Sequence, residues 1–438
     1  MAIQETYREQ VQASPGRQQR LQAGRTWRYA AIASPLLLAV AAVNAGPTLT
    51  TSSGLSDADI TALEAKGIKN GWTFKVSKNP ATQYDLSELT GLVVPDDWRR
   101  DAPFDNSPPR SGVGFPATFD WRDIGGSDYL TPVRDQAGCG SCWAFALYGS
   151  FESGLRRKYG LSTDLSEQWL VSCCGLGGCD GEWPGTAANF LLGTPAYADA
   201  CGGSGAVLES ALPYAGYDAS CSCPYDHPYT IENWSFIGPE WGTPSQQQLK
   251  QAILDHGPIT VCVTANSAFM SYGGGIFNAS DESWINHAVV LVGWDDDQGE
   301  NGVWIMRNSW GPGWGEGGYM RIEYGTSNIG YNALYVDVGD TTNGACCFDG
   351  GCLFGPEANC DSIGGTFLGA GEVCMEDTCS LPCPPDIDGD GTVGVDDLLA
   401  AIGGFGLPCD DCPEDVDGSG AVDTDDLLAI IARWGACP

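Results

Sequence analysis

The residue with the clearest chemical potential in this sequence is Cys142, in the stretch QAGCGSCWAF at residues 136–145. Small residues precede the thiol. Apolar residues then follow it at the three- and four-residue spacing of a helix, namely Ala144, Leu147, Phe151 and Leu155. The thiol is therefore predicted at a helix N-terminus, where free N–H groups and the helix dipole favour a thiolate. Since a thiolate attacks carbonyl carbon, the stretch predicts nucleophilic catalysis.

Other roles are open to a cysteine at this spacing. A structural disulfide, a redox dithiol or half of a metal site would each explain the C-x-x-C pair of Cys139 and Cys142. Three features favour the nucleophile. The side-chain amide of Gln136 can donate to an oxyanion, Trp143 directly follows the thiol, and a histidine and an asparagine in suitable contexts lie far downstream.

The histidine is His287, which opens the apolar run NHAVVLVGW at residues 286–294. Such a run is typical of a barrel strand, and of the three histidines only this one heads a long strand. A lone histidine at a strand start is more often structural than catalytic. The asparagine is Asn308, in the motif RNSWGPGWGEGGYMRI at residues 307–322, which also carries Trp310.

The order Gln136, Cys142, His287, Asn308 resembles the papain family of cysteine peptidases. FDWRD at residues 119–123 and TPVRDQ at residues 131–136 resemble the mature start of these enzymes. The resemblance runs from about residue 115 to about residue 338. It implies an α+β fold with two lobes, one helical and one a β-barrel, and a catalytic cleft between them.

The resemblance also assigns the chemistry. It implies that the Cys142 thiolate pairs with protonated His287, with a thiol pKa of about 3–4. It implies that Asn308 fixes the ring tautomer, and that Gln136 and the backbone N–H of Cys142 form an oxyanion hole. The expected reaction is hydrolysis of peptide bonds in protein or peptide substrates, with no cofactor for catalysis.

The same resemblance implies the substrate groove and two disulfides. Its groove set comprises Gly181, Glu182, Trp183, Pro184, Cys262, Ile285, Ala288 and Trp310, with Trp310 shielding the contact between histidine and asparagine. Glu182 stands where relatives usually have a second glycine, which changes the shape and charge of the groove. Asp337 is considered as a pocket floor that would invite a basic side chain. The implied bridges are Cys139–Cys179 and Cys173–Cys221.

The chain ahead of this domain divides into two predicted parts. Residues 1–45 carry a basic flank, a mostly apolar run at 29–43 and a small-residue exit, which is the pattern of a secretory signal cleaved after Ala45. An uncleaved anchor is the alternative, because the basic region is long. Residues 46–114 are predicted as a propeptide and linker, with an inert spacer as the alternative. The peptidase domain then covers residues 115–339.

Composition points to the compartment. The chain has 438 residues, 19 cysteines, 60 glycines and a formal net charge of -35. Such acidity argues against nucleic acid and anionic membranes as partners, and the cysteine content predicts a disulfide-stapled protein that is secreted or at the cell surface. Residues 340–381 hold six cysteines and few apolar groups, so disulfides must hold them together. Zinc is a weaker option, and the role is a spacer or small module.

Residues 382–438 contain a 29-residue repeat, DIDGDGTVGVDD from Asp386 and DVDGSGAVDTDD from Asp415. Oxygen donors fall at the loop positions that calcium requires, with glycine at position six. The predicted ligands of two Ca²⁺ sites are Asp386, Asp388, Asp390, the Thr392 carbonyl and Asp397, then Asp415, Asp417, Ser419, the Ala421 carbonyl, Asp423 and Asp426. A solvated acidic tail is the alternative.

After each loop, apolar residues recur at helical spacing, so two amphipathic helices are expected to pack on each other. They are Leu398, Leu399, Ile402 and Phe405, then Leu427, Leu428, Ile431 and Trp434. The pair resembles a dockerin-type calcium module, which implies a cohesin-like or cell-surface partner. By position, Cys383 pairs with Cys409 and Cys412 with Cys437. The alternative is a self-contained stability cap.

Two other functions remain open from sequence. The papain-like half could be a catalytically dead scaffold, with adhesion or assembly carried by the repeats. A transglutaminase- or amidase-like acyl transferase could use the same three groups. The complete set of nucleophile, base, asparagine and oxyanion donor favours a secreted endopeptidase, because scaffolds tend to lose the nucleophile.

Overall fold

The computed structural model describes residues 54–100, 102–110, 114–193, 204–240, 243–281, 283–340, 342–348, 351–362, 365–374, 385–388, 392–406, 412–416, 419–432 and 434–436. The chain divides into two compact units, Met1–Thr50 and Thr51–Pro438. The first unit, with the predicted signal, lies outside the described residues. In the described part of the chain, no helix combines the length and apolar character needed to cross a membrane.

Nine α-helices are described across these ranges, together with short 3₁₀ turns at Pro80–Gln83 and Gly178–Asp180 and a π-helical turn at Trp169–Cys173. The helices are α1 Asp57–Asn70, α2 Leu86–Leu89, α3 Cys142–Tyr159, α4 Pro184–Leu191, α5 Gln246–His256, α6 Ser267–Met270, α7 Glu357–Ser362, α8 Val395–Gly404 and α9 Thr424–Ala432.

Fifteen strands lie in the same described ranges, ten of them in one sheet. The strands are β1 Phe74–Val76, β2 Phe104–Asp105, β3 Thr118–Asp120, β4 Tyr229–Ile237, β5 Ile259–Val263, β6 Tyr272–Phe277, β7 His287–Asp295, β8 Val303–Arg307, β9 Tyr319–Glu323, β10 Tyr331–Asp340, β11 Asn343–Phe348, β12 Gly351–Pro356, β13 Thr366–Ala370, β14 Thr392–Val393 and β15 Gly435–Ala436.

The large sheet runs in the order β1-β6-β9-β8-β7-β5-β10-β4-β2, and β3 pairs with β7. Strand β7 lies at its centre and is buried over His287 to Trp294, which explains why its sequence is a continuous apolar run. Its antiparallel register with β5 sets His287 opposite Val263 and Ala288 opposite Cys262. The sheet therefore presents the predicted base at the start of a rigid, buried strand.

A second core surrounds helix α3. Its residues Trp143, Leu147 and Phe151 are fully buried and pack with Trp169, Phe190 and other apolar side chains of the helical half. The sheet side has a separate buried cluster built on β5, β7, β8 and β9. The predicted α+β architecture with a helical and a sheet-based half is confirmed. Trp169–Cys173 forms a π-helical turn, and Ser166 Oγ accepts from Trp169 N–H at 3.1 Å at its start.

The segment ahead of the catalytic half is folded onto the sheet. Helix α1 begins after Ser56, whose side chain and Asp59 form a reciprocal capping box. Strand β1 pairs antiparallel with β6, through Phe74 opposite Gly275 and Val76 opposite Tyr272. This segment is thus an edge strand and a capped helix in contact with the sheet, and the inert-spacer alternative loses support.

The cysteine-rich segment forms its own three-stranded antiparallel sheet, β12-β11-β13. Bridges Cys346–Cys360 and Cys352–Cys374 hold it, in agreement with the expectation that disulfides replace a large core here. The ring of Phe354 stacks on Tyr159 at a centroid distance of 5.1 Å, which attaches this sheet to the end of helix α3.

The two repeat helices pack on each other through a small core. Val393, Ala401 and Ile430 are buried there, with Leu398 and Leu427 against them. The rest of the predicted apolar face does not pack inward as expected. Its remaining members are exposed by about half, namely Leu399, Ile402, Phe405, Leu428, Ile431 and Trp434. Helices of nine and ten residues offer only a narrow contact stripe, so most of each apolar face is left in solvent.

Two carboxyl groups are buried between helix α3 and the turn that follows it. Glu152 is 1% exposed and accepts hydrogen bonds from Thr131 Oγ1 and from Leu165 N–H, the latter at 2.9 Å. Glu167 is 4% exposed. Burial raises the pKa of Glu152, and burial with the nearby Glu152 charge raises the pKa of Glu167 well above its ordinary value.

We expect Glu167→Gln to remove a pH dependence of stability. A carboxyl whose folded-state pKa is raised stabilises the fold most below the unfolded-state pKa, and this stability is lost as pH rises through the folded-state pKa. The free energy of unfolding in urea should therefore fall between pH 5 and pH 8, by at most about 1.4 kcal/mol per pH unit per proton. Glu167→Gln should flatten that fall, and the exposed Glu64→Gln should not; equal slopes in all three proteins would contradict the assignment.

Candidate active site

Cys142 is the first residue of helix α3 and is fully buried. It is not bridged, so the thiol is available for chemistry. Tyr214 supports the loop before Cys142. The Tyr214 hydroxyl lies 2.7 Å from Ser141 Oγ and donates to the Gln136 carbonyl at 2.9 Å. The predicted position of the thiol at a helix N-terminus is confirmed.

His287 and Asn308 are hydrogen-bonded to each other. His287 Nε2 lies 2.8 Å from Asn308 Oδ1, and the same oxygen accepts the Ser309 N–H at 2.8 Å. Because this oxygen already accepts from an amide, the imidazole must carry its proton on Nε2 and donate it. The other ring nitrogen, Nδ1, is buried and has no hydrogen-bond partner within the described ranges. The ring therefore keeps a lone pair available on Nδ1.

The imidazole is enclosed by aromatic rings. Trp310 is 1% exposed, and its ring centroid lies 4.8 Å from that of His287. Phe269 approaches the same two rings at 6.2 Å and 5.5 Å, and Trp314 packs against Trp310 at 5.5 Å. These rings exclude water from the bond between His287 and Asn308, as the sequence predicts for Trp310. In this arrangement the Trp310 ring packs against the His287 imidazole.

Gln136 is fixed by the loop that carries Asn308. Its Oε1 accepts from Ser309 Oγ at 2.7 Å, and its backbone N–H donates to the Ser309 carbonyl at 2.8 Å. The Nε2 group is thereby turned toward the catalytic loop, where it donates to Cys139 O at 2.8 Å and to Leu89 O at 3.1 Å. The side-chain amide of Gln136 thus donates to the carbonyl oxygen of Leu89, in the segment that precedes the peptidase domain.

The backbone of residues 89–93 crosses the site. Gly91 N–H donates to Cys142 Sγ at 3.3 Å. The Gly91 carbonyl accepts from Glu182 N–H at 3.0 Å, and Val93 N–H donates to the Glu182 carbonyl at 3.2 Å. An extended segment of the same chain therefore pairs with the groove backbone and contacts the thiol. The sulfur meets an amide N–H there, whereas attack requires a carbonyl carbon.

Burial under residues 89–93 determines the charge states of Cys142 and His287. Burial raises the pKa of Cys142 to about 11, although the N–H groups of Ala288, Gly91 and Trp143 favour the thiolate. Burial also lowers the pKa of His287 to about 4, against the hydrogen bond with Asn308. The predicted thiolate with a pKa of about 3–4 is therefore wrong for this covered state. Both groups are neutral near pH 7, because the low-dielectric surroundings penalise each charged form.

The groove residues lie where an extended peptide pairs. Gly181 has φ +101°, and a Cβ on it would stand 2.5 Å from the Gly91 carbonyl, so only glycine fits. Glu182 keeps both backbone groups available for pairing, because its carboxylate turns back to accept Trp183 N–H at 2.9 Å. A side chain at position 182 therefore leaves the backbone of the groove paired.

The remaining predicted pocket residues are all buried. Trp183, Cys262 and Ile285 belong to the helical-half core, Ala288 lies beside Cys262 in the strand register, and Pro184 begins α4. Asp337 takes another role. Its carboxylate lies 2.9 Å from His256 Nδ1 and accepts from Asn233 at 3.3 Å, so both of its oxygens already have partners on β4 and α5.

The disulfides implied for the catalytic half are present, Cys139–Cys179 and Cys173–Cys221. Cys174 and Cys262 are buried thiols, and Cys223 is bridged. Cys412 is also bridged, whereas Cys383, Cys409 and Cys437 lie outside the described residues. The first bridge closes the loop that carries Cys142, which helps to fix the thiol at its helix terminus.

Part of the predicted calcium set is brought together. One ligand atom from each of Asp386, Asp388 and Asp397 lies within 4.8 Å of the others. In the second loop, Asp415 accepts from Ser419 and Gly420 N–H groups at 3.0 Å and 2.7 Å. Thr392, Ala421, Asp423 and Asp426 lie in the described part of the repeats, and Asp390 and Asp417 fall outside the described residues.

Sequence reasoning missed three residues that the geometry brings into the site. Ser309 orients Gln136, Tyr214 supports the loop before Cys142, and Gly91 covers the sulfur. Ser309 stands inside the motif that supplied Asn308, so its position was a signal for it. Tyr214 and Gly91 carry no motif of their own, because their contacts depend on distant chain segments.

Comparison with known proteins agrees with this geometry. The family model described as papain family cysteine protease matches residues 115–336. Digestive cysteine proteinase 2 of Homarus americanus is 33% identical over 264 residues, covering 58% of this chain and 76% of that protein. Fruit bromelain of Ananas comosus is 29% identical over 273 residues, covering 61% and 72%.

The solved structures agree in fold. Digestive procathepsin L2 proteinase from Tenebrio molitor larval midgut superimposes with a TM-score of 0.55 at 26% identity, over 64% of this chain and 90% of that one. The chain therefore belongs to the papain family of cysteine peptidases and is a cysteine-type endopeptidase.

Proposed function

We propose that the chain is a secreted proenzyme that hydrolyses peptide bonds through Cys142, His287 and Asn308. The observation that carries the proposal is the state of the imidazole, whose Nε2 is held by Asn308 while Nδ1 is buried without a partner in the described part of the chain. The residue after it, Ala288, directs its N–H toward the Cys142 sulfur. The thiol therefore lies beside the start of strand β7, the strand that carries the proposed base.

The steps follow from these atoms. His287 Nδ1 takes the thiol proton, and the Cys142 sulfur attacks the scissile carbonyl carbon. Gln136 Nε2 and the Cys142 N–H stabilise the oxyanion. The imidazolium then gives its proton to the leaving amine, and in the second half it takes a proton from the water that hydrolyses the thioester. Asn308 holds the ring in the same tautomer throughout.

The segment of residues 89–93 supports an inhibited state. Its Leu89 carbonyl occupies the Gln136 donor, and its Gly91 N–H faces the sulfur. With water excluded, both reacting groups stay neutral, which opposes the charge separation that attack requires. Removal of this segment exposes the thiol and imidazole to solvent, and the ion pair then becomes accessible.

The first test replaces the proposed catalytic groups. After removal of the inhibitory segment, Cys142→Ala should abolish labelling by an active-site epoxide and lower kcat/KM for peptide hydrolysis by about 10⁴-fold or more. Asn308→Ala should lower kcat by about 100-fold, because the ring loses its orientation. The matched control is Cys174→Ala, another buried thiol.

Full labelling of Cys142→Ala would contradict the proposal. Absence of both labelling and hydrolysis in the activated wild type would favour the hypothesis that the papain-like half is a catalytically dead scaffold. If added amines diverted most of the product to amides, the acyl-transferase reading would replace hydrolysis.

A second test releases the cover without proteolysis. A Cβ at Gly91 would lie 1.6 Å from the Gly140 carbonyl oxygen, so Gly91→Ala should displace the segment. The unprocessed variant, checked by intact mass, should react with the epoxide about tenfold faster or more, as a clash of 1–3 kcal/mol implies. Gly114→Ala is the matched control, since no atom lies within 4 Å of its Cβ position. Equal rates would contradict inhibition by this segment.

The C-terminal repeats are proposed to bind calcium and to tether the enzyme to a cell surface or a cohesin-like domain. The donor set fits the ion, since three carboxylates of the first loop converge and calcium prefers such oxygen ligands. Asp386, Asp388 and Asp397 would hold the first ion, and Asp415, Asp423 and Asp426 the second. The bound ion would supply loop rigidity. Secretion is supported by the disulfides of the described chain.

Calorimetric titration of the Cys142→Ala chain with calcium tests the repeats. We expect about two ions per chain, and about one in Asp397→Asn, because the twelfth-position carboxylate is a required ligand. Asp361→Asn, in the cysteine-rich segment, is the control and should bind as the parent does. Unchanged heats in Asp397→Asn would contradict the assignment of the first site.

A further inference from the structure

The stretch of chain between the groove and the start of the peptidase domain packs against that domain. Residues 98–100 and 102–110, which we term the arm, lie a few positions after residues 90–93, which pair with the groove backbone and which we term the groove segment. Trp98 in the arm is 8% exposed. Its ring lies 5.0 Å from Phe236, 5.4 Å from Trp183 and 6.0 Å from Phe104, between centroids. The arm thus contributes a large side chain to the core of the helical half.

The arm also completes the sheet. Strand β2 pairs in parallel with β4, with Phe104 beside Phe236 and Asp105 beside Ile237. Its carbonyls accept edge N–H groups of the enzyme: Phe236 N–H donates to Pro103 O at 3.0 Å, and Gly238 N–H donates to Asp105 O at 2.7 Å. Loss of the arm would leave these edge donors and an aromatic surface exposed.

Both ends of the arm are held by further contacts. Near its start, Arg99 donates from Nε to the Glu240 carbonyl at 3.0 Å. At its end, Arg110 pairs with Asp255 at 2.8 Å, and Gln248 donates to Asn106 at 3.3 Å. These contacts all go to the catalytic half, on elements β4 and α5 or beside them.

The groove segment differs from the arm in what it occupies. Residues 90–93 hold the backbone positions at Glu182 and the contact with Cys142, which a substrate needs. The arm uses none of these positions. It packs behind Trp183, the residue that follows Glu182 in the groove wall. Substrate binding therefore requires the groove segment to leave, whereas the arm occupies no position that a substrate needs.

We propose that the maturation site lies between Val93 and Trp98, and that the arm remains as the N-terminal part of the active enzyme. This rests on the proposed function. Val93, Asp96 and Asp97 are exposed there, whereas Trp98 is buried. Hydrolysis of one peptide bond in this stretch consumes one water, leaving a carboxylate on the inhibitory fragment and an amine on the enzyme. The enzyme chain then begins ahead of Trp98, earlier than the boundary near Phe115 that the sequence predicts.

The test is the N-terminal sequence of the active polypeptide. The full chain is activated, its active sites are titrated with a tagged epoxide, and the tagged chain is sequenced. We expect a first residue between Val94 and Trp98. The Cys142→Ala chain, processed in trans by active enzyme, should begin at the same place. A tagged chain that begins at Asn106 or later would overturn the proposal, while absence of any tagging would instead contradict the proposed function.

A second measurement asks whether the arm supports the groove wall. In the activated enzyme, Trp98→Ala should raise KM about threefold to tenfold for peptides that extend toward Trp183, the range expected for loss of an aromatic contact, with kcat little changed. Tyr217→Ala, an aromatic 62% exposed, is the matched control. An unchanged KM in Trp98→Ala would show that the arm does not act on the wall and would overturn that part of the proposal.

Discussion

The candidate active site depends on one acceptor, the Oδ1 atom of Asn308. It accepts hydrogen bonds from the Nε2–H group of His287 and from the N–H of Ser309. Ser309 in turn holds Gln136 through its hydroxyl and its carbonyl. The proposed base and the proposed oxyanion donor are therefore fixed by consecutive residues of one loop. Because aromatic rings keep water from this loop, its hydrogen bonds are strong and the two groups cannot move independently.

The residue types of the site follow from the sequence, but their atomic partners do not. Motif spacing predicted Cys142, His287 and Asn308, and the apolar run at residues 286–294 predicted β7 close to its observed bounds. Gly91 gives no pattern, since its sulfur partner lies 51 positions away. The exposure of Leu399 was missed for a related reason. Helical periodicity indicates an apolar face, whereas helix length and neighbours decide how much of that face is buried.

The charge state was predicted incorrectly because it is a tertiary property. A helix terminus and a nearby histidine favour a thiolate when solvent can reach them. Under the backbone of residues 89–93, burial outweighs the groups that favour the thiolate and raises the pKa of Cys142 to about 11. It also lowers the pKa of His287 to about 4, so the proton stays on sulfur. Burial under this segment therefore favours the neutral form of both side chains.

The covalent link between the groove segment and the arm has a thermodynamic consequence. While the chain is intact, rebinding of residues 90–93 to the groove is intramolecular, with an effective concentration in the range of about 1 mM. Hydrolysis between Val93 and Trp98 would turn that equilibrium into a bimolecular one, governed by the dilute concentration of the freed peptide. Contacts too weak to bind a diffusing peptide would then suffice for latency, and dilution alone would make the switch irreversible.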